Sequence, residues 1–395
     1  MAHDLGDLVG NADVFPVLSH RDYFNHAGVS PMPRPVADAV RRFLAHFQDH
    51  AFIGYDIPAP GDKLRRLAAT LIRSDPDEIG IVTNTSEAIS HIALGIPLEA
   101  GDRVVISDAE YPANVYPWQE ACRRSGAELV TVPETTRDDG VAVVEEAALL
   151  EACSHPKTKV LAVSHVQWGS GQRMDLNRLG TFCRDNDILF SVDAIQSLGV
   201  VPIDVRRDHI DFLQAGGHKW MLGTMGAAPL FVRKERLEML RPVTVGWGSV
   251  VEPLKWEEID YTLQDTPRRF EVGSPGLAAI EAVSAGLELL ENAGISEVHA
   301  RVKSLGDRFV DGVTGAGYRV VTRRDRSDAE TCGGAICFLP PGGEDQTKHV
   351  YHAMAKDHDT ELASRCGRLR FSPHFYNTEE QVDRCVERLG SVLPS

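Results

Sequence analysis

The chain has 395 residues, of which 43% are apolar and 25% are charged, and these ordinary globular proportions exclude a disordered chain and a fibrous repeat. The length predicts one large domain accompanied by a smaller one. The formal net charge of −16 repels phosphate backbones and anionic lipids, so neither a nucleic acid nor a membrane surface is expected as a partner. A small-molecule substrate is expected instead.

The start of the chain and its cysteines predict a cytoplasmic protein. Met1 to Phe15 contains three aspartates and lacks the basic start and apolar core of a signal peptide. No apolar run approaches the roughly 20 residues that span a bilayer. The seven cysteines are scattered without a CxxC pair, so they are expected to be reduced thiols. We predict neither a metal site nor a disulfide framework.

Six short runs rich in β-branched and apolar residues lie between about residues 60 and 235, separated by amphipathic stretches. They are Ile79–Thr83, Val104–Ser107, Glu128–Val132, Lys159–Ser164, Ile188–Val192 and Leu230–Val232. Asp175 precedes the amphipathic run to Cys183 as an N-cap residue does, which predicts a helix between two of these strands. Apolar strands separated by helices predict an α/β fold with a mostly parallel sheet covered on both faces.

The C-terminal part of the chain has a different pattern. A long helical pattern runs from Leu277 to Ala293 and ends at Gly294. From about residue 296 to 395 the sequence predicts two helices alternating with strands such as Ala335–Phe338 and Arg368–Ser372, hence a smaller α+β domain. We therefore expect an N-terminal segment packed on the small domain (residues 1–25), a large domain (residues 26–275), and a linking helix with the small domain (residues 276–395).

Lys219 stands in a glycine-rich turn that follows the short apolar run Asp211–Leu213. In open α/β sheets, ligands bind beyond the carboxyl ends of the strands, where this turn is expected to lie. Glycine allows a ligand to approach the backbone closely, and a desolvated lysine forms a Schiff base with a carbonyl compound. The plain alternative is a solvated surface lysine.

Asp193 ends another apolar strand, 26 residues before Lys219, and Gln196 follows it. This spacing admits one helix and one strand. Pyridoxal phosphate (PLP) needs an anionic partner that keeps its pyridine nitrogen protonated, because that proton makes the ring an electron sink. Asp193 suits that role, although an aspartate that only caps the next helix is the alternative.

Two further strand ends carry residues that suit PLP. Thr83-Asn84-Thr85-Ser86 lies between a strand and a helical pattern from Ala88 to Leu94, and a helix N-terminus with hydroxyls binds a phosphate dianion. Tyr111 follows a strand in Asp108-Ala109-Glu110-Tyr111-Pro112 and could present its aromatic face to a ring. The alternatives are an ordinary helix cap and a buried core tyrosine.

Seven segments, in matching order over roughly residues 22 to 390, give the chain a family resemblance. It resembles the class V aminotransferases, in the branch with cysteine desulfurases, selenocysteine lyase, C–S lyases, kynureninase and isopenicillin-N epimerase. The resemblance implies the PLP-dependent transferase fold type I, with a mostly parallel mixed sheet. The segments are Tyr23-Phe24-Asn25-His26-Ala27-Gly28, Thr85-Ser86-Glu87-Ala88, Ser164-His165-Val166, Val192-Asp193-Ala194-Ile195-Gln196, Gly217-His218-Lys219, Arg269-Phe270-Glu271-Val272-Gly273-Ser274-Pro275 and Arg370-Phe371-Ser372-Pro373-His374-Phe375-Tyr376-Asn377-Thr378.

The resemblance implies roles around the cofactor ring. Lys219 would hold PLP as a Schiff base and move the α-proton, while Asp193 would pair with the pyridinium. Gln196 would touch the phenolic oxygen, Tyr111 would stack on the ring, and His218 would be a polar neighbour taking part in catalysis.

It also implies roles at the phosphate. Ser86 and the backbone of Thr85 would anchor the phosphate, and Ser274 would reach the phosphate bound by a neighbouring subunit. A homodimer is therefore expected.

The substrate is expected to meet a separate set of residues. Arg370 matches the family arginine that binds the substrate α-carboxylate, since a guanidinium binds a carboxylate with two parallel hydrogen bonds. Asn25 and His26 are expected to bind substrate as well. Other candidates for contact with the substrate side chain are Ala27, Trp168 and Trp247.

Three positions depart from the desulfurase pattern. Gly216 stands where desulfurases usually have a phosphate-binding serine, and Tyr111 stands where most have histidine. Desulfurases carry a nucleophilic cysteine on a mobile loop well upstream of the arginine, whereas Cys366 lies only four residues before Arg370. A persulfide-carrying arm is therefore not expected.

These features predict a PLP-dependent enzyme that acts at Cα of a small amino acid. β-Elimination from a substrate with a C–S bond is the first expectation, and transamination and epimerisation remain open alternatives. A PLP-fold protein that binds without turnover is a distant alternative.

Overall fold

The computed structural model describes residues 5–255, 257–325 and 327–392. Its helices are α1 (Leu5–Leu8), α2 (Arg34–His50), α3 (Pro58–Ile72), α4 (Thr85–Gly95), α5 (Tyr116–Ser125), α6 (Glu146–Cys153), α7 (Leu176–Asp185), α8 (Leu277–Ala293), α9 (Ile295–Gly315), α10 (Glu344–Asp357) and α11 (Glu379–Val392). Its strands are β1 (Asp22–Tyr23), β2 (Ile79–Val82), β3 (Arg103–Ser107), β4 (Glu128–Val132), β5 (Glu134–Thr136), β6 (Ala142–Val144), β7 (Thr158–Ser164), β8 (Leu189–Asp193), β9 (Phe212–Gln214), β10 (Ala228–Val232), β11 (Arg319–Val320), β12 (Ile336–Leu339), β13 (Thr360–Glu361), β14 (Ala363–Arg365) and β15 (Arg368–Phe371).

A seven-stranded sheet in the order β2-β10-β9-β8-β7-β3-β4 forms the centre of the large domain. Strand β10 is antiparallel to both of its neighbours, and the other adjacent pairs are parallel. Residues of one strand alternate between two apolar clusters; Leu161 and Val163 belong to one, Val160 and Ala162 to the other. Because successive side chains of a strand point to opposite faces, the sheet is covered on both faces. The predicted α/β fold with a mostly parallel mixed sheet is confirmed.

The predicted elements agree closely with the observed ones in several places. Asp175 caps α7, accepting a hydrogen bond from the backbone N–H of Arg178 at 2.9 Å. Helix α8 has the predicted bounds, and Gly294 after it has a φ of 78°, a conformation that favours glycine. The prediction of two helices after residue 296 was wrong, because α9, α10 and α11 all lie in that part. Gly294 interrupts one long helical pattern, so α9 starts directly behind α8.

The C-terminal part forms a small α+β unit. Strands in the order β11-β12-β15-β14 make an antiparallel sheet that shares an apolar cluster with α9, α10 and α11. The N-terminal β1 pairs in parallel with β13, next to this unit. The division of the chain at residues 25 and 275 stays a prediction. No helix in the described ranges is both long and apolar enough to cross a bilayer.

Six strands of the large sheet run in the same direction, and their carboxyl ends meet at one edge. Since β10 is antiparallel to both β2 and β9, those two strands are parallel to each other. Five segments that follow β2, β3, β7, β8 and β9 therefore lie side by side. They carry Thr85, Tyr111, Trp168, Gln196 and Lys219, respectively.

Candidate active site

A cavity of about 310 Å³ lies at this edge of the sheet, within the range of small-ligand sites. It contains eight of the eleven site residues that the sequence predicts. Its lining consists of Ala27, Gly28, Asn84, Thr85, Ser86, Tyr111, Ala113, Trp168, Asp193, Ile195, Gln196, His218, Lys219, Arg365 and Arg370. Residues from both the large domain and the C-terminal unit thus meet here.

Lys219 is a desolvated amine within this cavity. Its backbone oxygen accepts hydrogen bonds from Ser30 Oγ at 2.6 Å and from the N–H of Leu222 at 3.0 Å, which hold the turn in place. Burial, with a further contribution from the positive charge of Arg370, lowers the pKa of Lys219. A lysine with a lowered pKa is a better nucleophile toward a carbonyl carbon, because more of it is neutral. This burial excludes the alternative of a solvated surface lysine.

Asp193 is the last residue of β8, and its two carboxylate oxygens have different surroundings. Oδ1 accepts a hydrogen bond from the backbone N–H of Ile195 at 2.9 Å. Oδ2 is buried and has no hydrogen-bond partner among the described residues. Burial raises the pKa of Asp193 more than the N–H of Ile195 and the positive charge of Lys219 lower it. Among the described residues no helix starts between β8 and β9, so Asp193 is not the helix cap of the alternative reading; one of its oxygens is used in the following turn, and the other remains for a cationic or N–H group in the cavity.

The turn before Lys219 is tied to the start of α4. Asn84 caps that helix, and the first N–H groups of a helix have no acceptor within it. Thr85 Oγ1 accepts a hydrogen bond from the N–H of Gly216 at 2.9 Å, while Ser86 is exposed in the cavity. This corner therefore offers N–H groups and a hydroxyl to an anion.

The contact between Gly216 and His218 explains why a glycine stands where desulfurases usually have a phosphate-binding serine. A Cβ on Gly216 would lie 3.1 Å from the His218 ring and 3.2 Å from Thr85 Oγ1, so a serine there would be crowded. The imidazole thus occupies the space beside the turn. Burial, followed by the positive charge of Lys219, lowers the pKa of His218 to about 4. His218 is therefore neutral at pH 7.

Two aromatic side chains form one wall of the cavity. The rings of Tyr111 and Trp168 are edge to face, with centroids 5.2 Å apart. Lys219 Nζ lies 5.9 Å from the centroid of the Tyr111 ring. Tyr111 is 46% exposed, which excludes the alternative of a buried core tyrosine.

Glu110 holds this wall in place, and the sequence analysis assigned it no role. Its carboxylate accepts hydrogen bonds from Asn114 Nδ2 at 2.8 Å, from Gln167 Nε2 at 2.8 Å and from the backbone N–H of Ser164 at 2.9 Å. These contacts join the loop after β3, which carries Tyr111, to the loop after β7. Only the pairing of β3 with β7 reveals this role, because the two loops are distant in sequence.

Gln196 is fixed in orientation deeper in the cavity. Its Nε2 donates to the backbone oxygen of Ala27 at 3.1 Å, and its Oε1 accepts from Trp220 Nε1 at 3.2 Å. One N–H of the side-chain amide remains available to a ligand.

Arg370 brings a buried positive charge to the cavity lining. Its Nη1 donates to the backbone oxygen of Trp168 at 2.9 Å, while Nε is buried without a partner among the described residues. Burial lowers the pKa of Arg370 to about 10, so the guanidinium is charged at pH 7. A buried cation of this kind needs an anionic partner.

The structure does not bring His26, Asn25 or Ser274 into the cavity lining. His26 is fully buried: its Nδ1 donates to the backbone oxygen of Ser372 at 2.8 Å, and its Nε2 accepts from Tyr376 Oη at 2.7 Å. Both ring nitrogens are thus bonded within the protein, and the expectation that His26 contacts substrate stays a prediction. The side chain of Asn25 packs against Gly28. A Cβ added to that glycine would lie 2.6 Å from Asn25 Oδ1.

Ser274 and Trp247 lie outside the cavity on the surface. Ser274 is exposed and has a φ of 46°, in the left-handed region that is costly for a serine. Trp247 is exposed as well, so of the candidates for the substrate side chain only Ala27 and Trp168 line the cavity.

Cys366 lies in the two-residue turn that joins β14 to β15. Its φ of 50° and that of 72° for Gly367 are typical of a tight hairpin turn. Cys366 Sγ lies 3.1 Å from where a Cβ of Gly169 would stand, and burial raises the pKa of the thiol. The structure therefore places this thiol on a short hairpin, as the sequence predicts, and not on a long loop.

A larger cavity of about 500 Å³ lies apart from Lys219 and is polar. The four arginines that line it each lie within 4.0 Å of a carboxylate: Arg173 and Glu330, Arg178 and Glu146, Arg207 and Asp208, and Arg323 and Glu146. Their charges are thus compensated within the protein. The smaller cavity has a lysine, a buried carboxylate oxygen without a hydrogen-bond partner among the described residues, and a buried arginine, and it is therefore the candidate active site.

Comparison with known proteins shows the family of the chain. The family description "Aminotransferase class-V" matches residues 22–385. A probable cysteine desulfurase of Pyrococcus abyssi is 27% identical and is aligned over 96% of each chain, and an isopenicillin N epimerase of Streptomyces clavuligerus is 26% identical over 93% of this chain and 94% of that one. The solved cystine C–S lyase C-DES, in complex with its reaction product cysteine persulfide, has a TM-score of 0.85 at 23% identity, over 96% of this chain and all of that one. The chain belongs to the class-V aminotransferase family.

Proposed function

We propose that the chain is a PLP-dependent lyase that removes the β-substituent of a small amino acid, with a C–S bond as the bond that breaks. One observation carries the proposal: a buried carboxylate oxygen without a partner, Asp193 Oδ2, lines the same cavity as the desolvated amine of Lys219. A pyridine N–H would satisfy that oxygen, and an aldehyde would react with that amine.

The residues present fit PLP. Lys219 Nζ would be the covalent attachment point, and Asp193 Oδ2 would accept a hydrogen bond from the pyridine N–H. The start of α4, with Ser86 and the backbone of Thr85, would receive the phosphate, and the Tyr111 ring would pack on the cofactor. Bound PLP supplies the electron sink that stabilises negative charge developing at Cα.

The protein's own groups carry out the remaining steps. Arg370 binds the α-carboxylate of the substrate, which sets the position of Cα relative to Lys219. Lys219 Nζ takes the proton from Cα, and the sulfur substituent then leaves from Cβ as a thiol. The remaining 2-aminoacrylate adds water and yields pyruvate and ammonium. Substrate and one water thus give one thiol, one pyruvate and one ammonium.

The neighbouring reactions of the family differ in what happens after the proton leaves Cα. Transamination would give a keto acid that retains the side chain, while epimerisation would return a proton to the other face of Cα. The likeness to an isopenicillin N epimerase supports epimerisation as the second candidate.

A screen of amino acids distinguishes these reactions. Purified enzyme with PLP would be incubated with cystine, S-substituted cysteines and simple amino acids, scoring pyruvate, sulfide, other keto acids and exchange of the α-hydrogen with solvent deuterium. We expect pyruvate and ammonium in equal amounts. Exchange without pyruvate would favour epimerisation, and a keto acid that retains the side chain would favour transamination.

Replacing Cys366 with serine should leave most of the activity. The thiol sits on a tight hairpin and has a raised pKa, so it is poorly suited to attack a substrate sulfur. Incubation with cysteine or cystine, followed by identification of the three-carbon product, checks this prediction. Alanine as the product, together with an inactive Cys366→Ser variant, would show that the chain is a desulfurase with Cys366 as its nucleophile.

The proposed assembly is a homodimer in which Ser274 serves the phosphate bound by the neighbouring subunit. The exposure of Ser274 and its position outside the cavity of its own chain support this arrangement. Sedimentation of active enzyme should give the dimer as the smallest active species, and Ser274→Ala should weaken PLP affinity more than it changes folding. A fully active monomer would contradict the proposal.

The proposed location is the cytoplasm. All seven cysteines are free, and six of them are buried. Unpaired cysteines in this number suit a reducing compartment.

A further inference from the structure

Three arginines lie on one face of the hairpin formed by β14 and β15. Arg365 is directly opposite Arg368, and Ala363 is directly opposite Arg370. Opposite residues of a strand pair share a face, as do alternate residues along a strand. Arg365, Arg368 and Arg370 therefore point to the same side, although like charges on opposite strands destabilise a hairpin. Anionic groups on that side are therefore needed to balance the three positive charges.

One of the three arginines has its counter-charge within the protein. Arg368 Nη2 donates to Glu134 Oε1 at 2.8 Å, and its Nη1 donates to the backbone oxygen of Gly169 at 3.1 Å. Arg368 thus joins the hairpin to the large domain and is absent from the lining of the active-site cavity.

The other two arginines line the active-site cavity. Arg370 is buried, whereas Arg365 is exposed at its mouth. Among the described residues, the hydrogen bond of the Arg365 guanidinium is Nη1 to the backbone oxygen of Ser364 at 2.7 Å. Burial is the main cause of the lowered pKa of Lys219, and the positive charges of Arg370 and Arg365 lower it further. The charge of Arg365 therefore acts on the reacting amine.

The single negative charge of an α-carboxylate on Arg370 balances only one of these two positive charges and leaves Arg365 without a counter-charge. We propose that Arg365 binds a second anionic group, a carboxylate or an oxidised sulfur group, at the far end of the substrate side chain. This inference rests on the proposed function and narrows its substrate to amino acids with an anionic side chain. The aromatic wall formed by Tyr111 and Trp168 would pack against the apolar part of such a side chain.

A matched pair of probes tests the inference. S-Carboxymethyl-L-cysteine and S-carbamoylmethyl-L-cysteine have nearly the same shape, and only the first carries a second negative charge. Their Kd values would be measured from the change in cofactor absorbance, with L-alanine as a probe that has no distal group. We expect the carboxymethyl compound to bind about 10- to 100-fold more tightly than the carbamoylmethyl compound, the usual contribution of a charge-assisted hydrogen bond.

Two variants locate the preference on Arg365. Arg365→Gln should bring the two Kd values together and leave those of L-alanine and PLP unchanged, while Arg365→Lys should keep part of the preference. High salt should weaken the preference in the wild type, since exposed charges are screened. A wild type that does not discriminate between the probes, or a preference that survives in Arg365→Gln, would overturn the inference. Loss of PLP affinity in Arg365→Gln would overturn it as well and would assign Arg365 to the cofactor phosphate.

The experiment also separates the inference from the proposed function. If PLP or L-alanine does not alter the absorbance of the wild type, the proposed function fails. If all three compounds alter it but the two cysteine derivatives bind equally, the proposed function stands and the second anionic site does not.

Discussion

Replacing Lys219 with alanine should abolish the covalent attachment of PLP and reduce turnover by at least about 10²–10⁴-fold, the contribution of a positioned acid–base group. Lys219 Nζ is the amine that lines the cavity next to Asp193, and burial lowers its pKa. In the wild type, borohydride reduction followed by peptide mapping should find the phosphopyridoxyl group on the peptide that contains Lys219.

An exposed lysine provides the matched control. Lys234 follows β10 and lies outside the cavity, so Lys234→Ala should keep both the covalent PLP and the activity. A phosphopyridoxyl group on another lysine in the wild type, or undiminished turnover of Lys219→Ala, would contradict the central assignment.

Changing Asp193 to asparagine should reduce turnover by about one to two decades while the protein stays folded. The asparagine oxygen can keep the hydrogen bond from the Ile195 N–H, but the negative charge next to the cofactor nitrogen is lost. A charge-assisted hydrogen bond contributes about 1.5–3 kcal/mol, which corresponds to this loss in rate. Steady-state kinetics at saturating PLP would measure the effect, and thermal unfolding would verify the fold.

Asp175 offers the corresponding control, because it is an aspartate that does cap a helix. Its Oδ1 accepts the N–H of Arg178, and it lies outside the active-site cavity. Asp175→Asn should therefore leave turnover unchanged. Wild-type turnover in Asp193→Asn would mean that the Asp193 carboxylate, too, acts only as a local cap.

Most of the large-domain strands, but not the edge strand β4, could be predicted because both of their faces are buried. A strand buried on both faces reads as a continuous apolar run, and helix caps such as Asp175 mark the segments between such strands. The antiparallel direction of β10 leaves no such mark, since its run Ala228–Val232 is as apolar as those of its parallel neighbours. The end of α8 at Gly294 was predicted, but the number of helices after it was not: α9 begins directly behind that glycine, and α10 and α11 follow it.

Lys219, Asp193 and Arg370 were predictable because each stands in a short motif: Lys219 and Asp193 at or just after the end of a strand, and Arg370 within β15. The sequence by itself thus determined the fold class, the family and the residues with the strongest chemical character. His26 belongs to an equally suggestive motif, but contacts with Ser372 and Tyr376, distant in the chain, use both of its ring nitrogens. Whether a polar side chain faces the cavity or the core depends on such partners, and local sequence does not specify them.

Arg365 and Glu110 became visible only in the tertiary structure. The register of β14 against β15 puts Arg365 on the face of Arg370, and a slip of one residue would turn it away. Glu110 acts through two loops that the parallel pairing of β3 and β7 brings together. The chemistry of the site thus follows from residue types that the sequence displays, whereas its shape and its free charges follow from long-range pairing, because contacts between distant segments decide which side chains are neutralised and which remain open to a ligand.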